Sequence, residues 1–217
     1  MNCFLMMNQK NVFNNLVKFY LTGDEKYFDL IPYSNEKYFS KLYGIGNEEV
    51  FVDCGAYTGD TIDDFIRYTG QGTIYAFEPD PDLYHMLVMK YNNDNIHIIN
   101  AAVSNKKGKL LFGCDGEGGA VNPKGDICVD SVRLDESISE TISLLKMDIE
   151  GAEMSALEGA EQLIYRSYPK LAICVYHKWN DIYKIPFYIH EKYPEYKIAL
   201  RHHSKNTLYE FVMYAWI

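Results

Sequence analysis

The 217-residue chain has no excess of positive charge, no cysteine pairing pattern and no long apolar run. With 21 Lys and Arg against 30 Asp and Glu, the net charge is −9. A phosphate backbone is normally met by a basic face, so nucleic acid is not expected as the main partner. That argument concerns the bulk only, and a local basic patch could still gather, for example around Arg201, His202 and His203. The five cysteines (Cys3, Cys54, Cys114, Cys128, Cys174) form no C-x-x-C pair and show no zinc-like spacing with histidine. Cys54 and Cys174 sit inside apolar runs, as small buried hydrophobes do, which suits a reducing compartment. No window approaches the ~20 apolar residues of a membrane span. Phe4 to Met7 lack the basic flank and cleavage site of a leader, so the expected location is the cytoplasm. Internal repeats and low-complexity segments are also missing.

What is present is a globular balance of 47% hydrophobic and 24% charged residues, enough for one domain with an N-terminal extension. Nineteen tyrosines stand out. They can line a pocket for polar ligands, but more often fill a core or a homodimer interface.

Val12, Phe13, Leu16, Val17, Tyr20 and Leu21 recur at helical spacing and stop at Gly23, predicting an amphipathic helix with a glycine cap. Residues 27 to 46 read as aromatic-rich and irregular, with a short helix around Asn35 to Tyr43. Residues 1–48 are therefore expected to be a helical extension or cap, and residues 49–217 the main domain. From Val50 the pattern becomes strand, helix, strand, helix, strand: Val50 to Asp53, Ile62 to Gly70, Thr73 to Phe77, a helix opened by Asp80-Pro81, then Ile96 to Ile99. Right-handed crossovers make such a series a parallel sheet. A hairpin or loop insertion is expected between Gly108 and Asp135. Ser143 to Met147, Glu153 to Tyr165 and Leu171 to Tyr176 then resume the α/β rhythm. Tyr196 to Arg201 and Leu208 to Ala215 are too closely spaced for a crossover helix and should pair antiparallel. The expected fold is α/β, a doubly wound, mostly parallel, Rossmann-like seven-stranded sheet ending in an antiparallel hairpin. That terminal hairpin separates S-adenosylmethionine (SAM) methyltransferases from nicotinamide-binding domains, which remain parallel.

The first strand ends in Asp53-Cys54-Gly55-Ala56-Tyr57-Thr58-Gly59. Gly55 permits a tight turn, and Ala56 and Gly59 would keep bulk away where backbone approaches a ligand. The helix from Asp60-Thr61 would turn its free N–H groups to the crevice. Glu78 ends the second strand, near the ~20-residue distance at which an acid can accept both hydroxyl protons of a ribose. A strand-terminal Glu is more often a cap, but loop and acid in this order point to a nucleoside. Asp53 favours a cationic sulfonium over a pyrophosphate, hence SAM over NAD.

Asp53-x-Gly55-Ala56-x-x-Gly59, Ala76-Phe77-Glu78-Pro79, Asn100-Ala101-Ala102-Val103 and Lys146-Met147-Asp148-Ile149-Glu150-Gly151-Ala152-Glu153 together resemble the FkbM family of methyltransferases. The resemblance runs from about Val50 to Ala215. It implies a class I methyltransferase fold, SAM as donor, and O-methylation of sugars or other small hydroxylated metabolites. It also implies that Asp53, Gly55 and Gly59 hold the methionine part, Glu78 the ribose, and Asn100 and Ala101 the neighbourhood of adenine. With Ala56, Thr58, Thr61, Pro79 and Asp148 these form the expected cofactor set.

Asp148 ends the fourth strand, at the edge where open α/β sheets bind ligands. Glu150 and Glu153 follow at a helix start, where complementing the helix dipole is explanation enough for Glu153 and half of one for Glu150. His177 follows the next strand and, with Asp148, is the expected catalytic pair, His177 serving as general base unless it is a packing residue. A divalent cation held by Asp148, Glu150 and His177 is the competing mechanism, though no tight ligand spacing supports a metal site. His202 and His203 point opposite ways on an extended chain, so at most one could reach an acceptor. An NAD-type oxidoreductase and a non-catalytic SAM-binding domain are the alternatives to be separated.

Overall fold

The computed structural model describes residues 7–39, 44–46, 48–114, 119–121, 124–205, 207 and 209–217. They fall into two compact units, residues 41–169 and residues 1–40 with 170–217.

In the 41–169 unit, β1 (Val50–Cys54), β2 (Thr73–Phe77), β3 (Ile96–Ile99) and β8 (Leu144–Met147) lie parallel in the order β8-β1-β2-β3. All four residues of β8 and the last four of β1 are buried, as expected of strands covered on both faces. The helix α3 (Asp60–Thr69) joins β1 to β2 and buries Ile62 and Phe65, with the Phe65 ring stacked 4.8 Å from Phe51. The helix α4 (Pro81–Lys90) begins as its sequence signals. Asp80 Oδ1 accepts from the N–H groups of Asp82 and Leu83, and Pro81 occupies the first turn, where no N–H is needed.

The segment expected as a rim hairpin is more than that. Strands β4 (Ala102–Val103), β5 (Gly108–Cys114), β6 (Gly119–Val121) and β7 (Ile127–Val132) form a second sheet, ordered β4-β7-β5-β6, around Phe112 and Val129. The single helix expected from Glu153 to Tyr165 is broken into α6 (Glu153–Glu158) and α7 (Glu161–Ser167). Gly159 lies at the break, and a Cβ there would stand 2.0 Å from the Ser104 carbonyl oxygen. That carbonyl is held on both sides, by Ser104 N–H on Val132 O at 2.9 Å and by the N–H of its own peptide, that of Asn105, on Ser155 Oγ at 3.2 Å. Gly159→Ala is therefore expected to destabilise the protein by about 2 kcal/mol, read as a lower denaturation midpoint.

In the other unit, α1 (Met7–Thr22) ends at Gly23, whose N–H reaches Phe19 O, matching the expected glycine cap. The short helix expected around residues 35–43 is not found among its described residues. Instead α2 spans Lys26–Asp29, Tyr33 makes an isolated bridge to His202, and Ser34 N–H is bound to His202 O. Tyr38 at φ +60 and its N–H bond to Tyr214 Oη are incompatible with a helix there. Residues 40–43 lie outside the described set.

Strands β9 (Lys170–Cys174), β10 (Lys197–His202) and β11 (Phe211–Trp216) are ordered β10-β11-β9, with both pairings antiparallel. The closing hairpin is thus present, with its second strand starting at Phe211, later than the sequence pattern suggests. Between β9 and β10 lies α8 (Asp181–Lys192). Among the described residues no helix is long and apolar enough to cross a membrane.

Candidate functional site

The loop after β1 is coiled by three left-handed residues, Gly55 (φ +83), Tyr57 (φ +49) and Gly59 (φ +81). Both Gly55 N–H and Ala56 N–H reach Phe77 O, at 3.0 and 3.1 Å, so the end of β2 anchors the turn. Gly59 N–H closes back on Ala56 O at 2.8 Å.

The two glycines have reasons the sequence did not disclose. At Gly55 a Cβ would lie 2.0 Å from Asp148 O, so the missing side chain lets the β8 terminus pass. At Gly59 it would lie 2.4 Å from Tyr91 Oη. Tyr91 Oη bonds Gly59 O at 2.7 Å and Lys90 Nζ donates to Thr58 O at 3.1 Å, so the end of α4 holds the far side of the loop. Protein groups, not a ligand, fill the space at both glycines.

Asp53 also differs from expectation. It has no exposed surface, and its Oδ1 lies 2.8 Å from the Lys146 ammonium. Burial pushes its carboxyl above the usual range while Lys146 pulls the other way. Direct contact between Asp53 and a cationic ligand is thus corrected to a role beneath the loop: a side chain with no accessible surface touches nothing outside the protein. Ala56 is equally enclosed, Ala101 and Thr61 nearly so, and Thr58 and Pro79 are half-buried.

Glu78 lies where the sequence reading placed it, just past β2. Its Oε2 accepts Tyr57 N–H at 2.8 Å and its Oε1 accepts Asp80 N–H at 2.9 Å. Each oxygen keeps a second lone pair, the pair of acceptors that the two hydroxyls of a ribose diol require. Burial pushes its pKa up to about 7, against the pull of the two N–H groups. Asn100 is exposed, and its amide donates to Glu78 O (2.8 Å) and Pro79 O (3.1 Å), so it steadies the segment carrying Glu78.

Asp148 follows β8, half-buried, with its N–H on Cys54 O at 3.1 Å. Within this unit, then, the ends of β1, β2 and β8 bring Gly55, Glu78 and Asp148 onto one sheet edge. Glu150 is exposed at φ +53, whereas Glu153 is fully buried and accepts Ile149 N–H at 3.0 Å. Glu153 thus ties the turn between β8 and α6 and does more than complement a helix dipole.

In the other unit His177 lies three residues past β9, half-buried, its ring 4.2 Å from that of Tyr176. His202 and His203 have structural duties. His202 Nε2 donates towards the carbonyls of Thr207 (2.8 Å) and Tyr209 (3.1 Å), and its ring stacks on Phe211. His203 Nδ1 meets Ser34 O at 2.7 Å, an acceptor only, so Nδ1 carries the proton and Nε2 accepts from Tyr214 Oη at 2.9 Å. Burial lowers the basicity of both, His203 to about 4. The basic patch around Arg201 is therefore not built at neutral pH.

Two groups were missed by sequence reasoning. Lys146, inside the apolar run Leu144-Leu145-Lys146-Met147, is buried and needs a reason to be there. Tyr57 is 49% exposed, and its left-handed backbone presents its N–H to Glu78. Lys146 was visible as a charge in a buried strand; nothing local marked Tyr57.

The family model described as Methyltransferase FkbM domain matches residues 53–198. No curated protein sequence matches. Among solved structures, methyltransferase FkbM from Methylobacillus flagellatus KT is similar at 28% identity and TM-score 0.78, covering 93% of this chain and 53% of that one. The present chain spans about half the length of that structure. The Methanococcus jannaschii fibrillarin pre-rRNA processing protein (16% identity, TM-score 0.52, 82% of this chain and 69% of that one) shares the fold. So does Aeropyrum pernix fibrillarin, described with natively bound S-adenosyl-L-methionine (14%, TM-score 0.50, 78% and 66%). The fold class is thus α/β, with a mostly parallel seven-stranded sheet and antiparallel strands at the end.

Proposed function

This chain belongs to the FkbM family of SAM-dependent methyltransferases, and from that premise we propose that it transfers a methyl group from SAM to a hydroxyl of a small acceptor, with a sugar of a glycan, glycolipid or secondary metabolite as the first class to test. The observation that carries the donor half is Glu78, a buried carboxylate with one backbone N–H and one spare lone pair on each oxygen. It would hold the two ribose hydroxyls, with Asn100 steadying the segment and the Gly55–Gly59 loop lining the nucleoside. When bound, SAM supplies an electrophilic methyl group on a sulfonium.

The chain's own work is then to place the acceptor oxygen in line with that methyl and to take its proton. His177 is the proposed base: its imidazole would take the proton that the acceptor hydroxyl gives up. Asp148, at the edge that carries Gly55 and Glu78, is the proposed acid that orients the acceptor. A cation-assisted version would use a divalent ion to acidify the acceptor hydroxyl.

Calorimetric titration with SAM and with NAD, followed by release of S-adenosylhomocysteine (SAH) from a panel of hydroxylated acceptors with and without EDTA, tests these readings. SAM should bind and NAD should not, and an acceptor should release SAH. No heat with SAM overturns the donor assignment. Binding with no turnover on any acceptor favours a non-catalytic domain, and turnover indifferent to EDTA removes the cation. A His177→Gln enzyme as fast as wild type would release histidine from its role.

A further inference from the structure

We propose that Lys146 is the positioning residue of the cofactor loop, gripping the Gly55 carbonyl from beneath; this rests on reading residues 53–59 as that loop. Lys146 stands directly opposite Asp53 in the parallel register of β8 and β1, and is 2% exposed. Its ammonium lies 2.8 Å from Asp53 Oδ1, donates to Gly55 O at 2.7 Å and reaches Cys54 O at 3.4 Å. The ammonium thus serves three successive residues, pairing in charge with Asp53 and donating to the carbonyls of Cys54 and Gly55.

Stability alone does not account for the pair. Two buried charges are costly to desolvate, and an apolar pair of the same volume is often as stable. What an apolar pair cannot do is hold a carbonyl. The peptide between Gly55 and Ala56 is fixed at both ends, its C=O by Lys146 and its N–H by Phe77 O at 3.1 Å. The next N–H, that of Tyr57, is bound by Glu78, the proposed ribose ligand. A rotation of the Gly55 peptide would therefore propagate to Glu78 within two residues. In this arrangement Asp53 neutralises and aims Lys146, and Lys146 aims the loop.

Removing Lys146 alone would strand the Asp53 charge, so the test neutralises both. In an Asp53→Asn background, Lys146→Gln keeps a donor for Gly55 O and Lys146→Met does not. SAH affinity is measured by calorimetry, alongside thermal unfolding. The Gln variant should bind about as tightly as Asp53→Asn alone, and the Met variant about tenfold or more weaker, the loss of one hydrogen bond with a charged or amide donor. Equal affinities for the Gln and Met variants overturn the proposal, because a merely space-filling or charge-balancing lysine predicts equality.

If the doubly substituted chains do not fold, wild-type protein labelled with ¹⁵N-lysine decides. The slowly exchanging Nζ signal of Lys146 should shift when SAH is added, and an unmoved signal overturns the proposal. Wild-type protein that binds no SAH at all defeats the cofactor reading itself, a result distinct from either of these.

Discussion

Glu78→Gln should weaken SAH binding about 100-fold, the free energy of two hydrogen bonds to a charged acceptor at about 1.5 kcal/mol each. The substitution keeps the shape of the side chain, but its amide nitrogen is a donor. One of the two N–H groups now held by Glu78, that of Tyr57 or that of Asp80, would face it donor to donor. Charge and one ribose acceptor are lost together.

The same carboxyl gives the affinity a pH dependence. Burial raises its pKa from 4.5 to about 7. Below that value the folded protein holds Glu78 protonated, so the ionised acceptor must be regained before it can bind a diol. SAH affinity should rise about tenfold between pH 6 and pH 8, following the ionised fraction, and the Gln variant should lose this step. For the ligand-free protein the sign is opposite. A raised pKa contributes stability below pH 4.5 that is lost as pH rises through about 7, at most about 3 kcal/mol. Titrations at three pH values, with melts of the free protein, check both slopes. An affinity independent of pH would take Glu78 out of the site.

Gly55→Ala should be the most damaging small substitution. Its backbone at φ +83 already costs an L-residue about 1–2 kcal/mol. The new methyl would also stand 2.0 Å from Asp148 O, a carbonyl of the main chain and not the tip of a flexible side chain. Asp148 is itself held, its N–H on Cys54 O, so neither strand end can retreat. About 3 kcal/mol of destabilisation is expected, a fall in Tm on the order of 10 °C for a chain of this length. SAH binding should be lost with it, because the same movement pulls on the Gly55–Ala56 peptide. Melting within about 2 °C of wild type would show that the β1–β8 junction gives way more easily than its contacts imply.

Much of the fold was open to sequence reading where one element carries its own signal. The periodicity of β1, α3, β2 and α4, the Asp80-Pro81 start and the Gly23 stop are local, and the structure repeats them. Boundaries that depend on a distant partner were not. The helix expected from Glu153 to Tyr165 breaks at Gly159 because the Ser104 carbonyl comes against it from 55 residues away. The helix expected after Asn35 gives way to irregular chain because Tyr33 and Ser34 pair with His202 and Tyr38 N–H is taken by Tyr214 Oη. Likewise, the region after Gly108 closes into its own sheet only when β7 has β5 on one side and β4 on the other.

The site divides in the same way. By itself the sequence determined the α/β order, the family signature and the placing of Gly55, Glu78 and Asp148 at strand ends, since a strand end and the residue that follows it are neighbours along the chain. Tertiary structure alone decided what those residues touch. Asp53 faces Lys146 because two strands 93 residues apart lie in register, and it is buried because both strands are covered. Gly55 and Gly59 are small because Asp148 and Tyr91 pack where their side chains would be. Spacing along a chain can report that a residue is small or charged. Only close packing says against which neighbour.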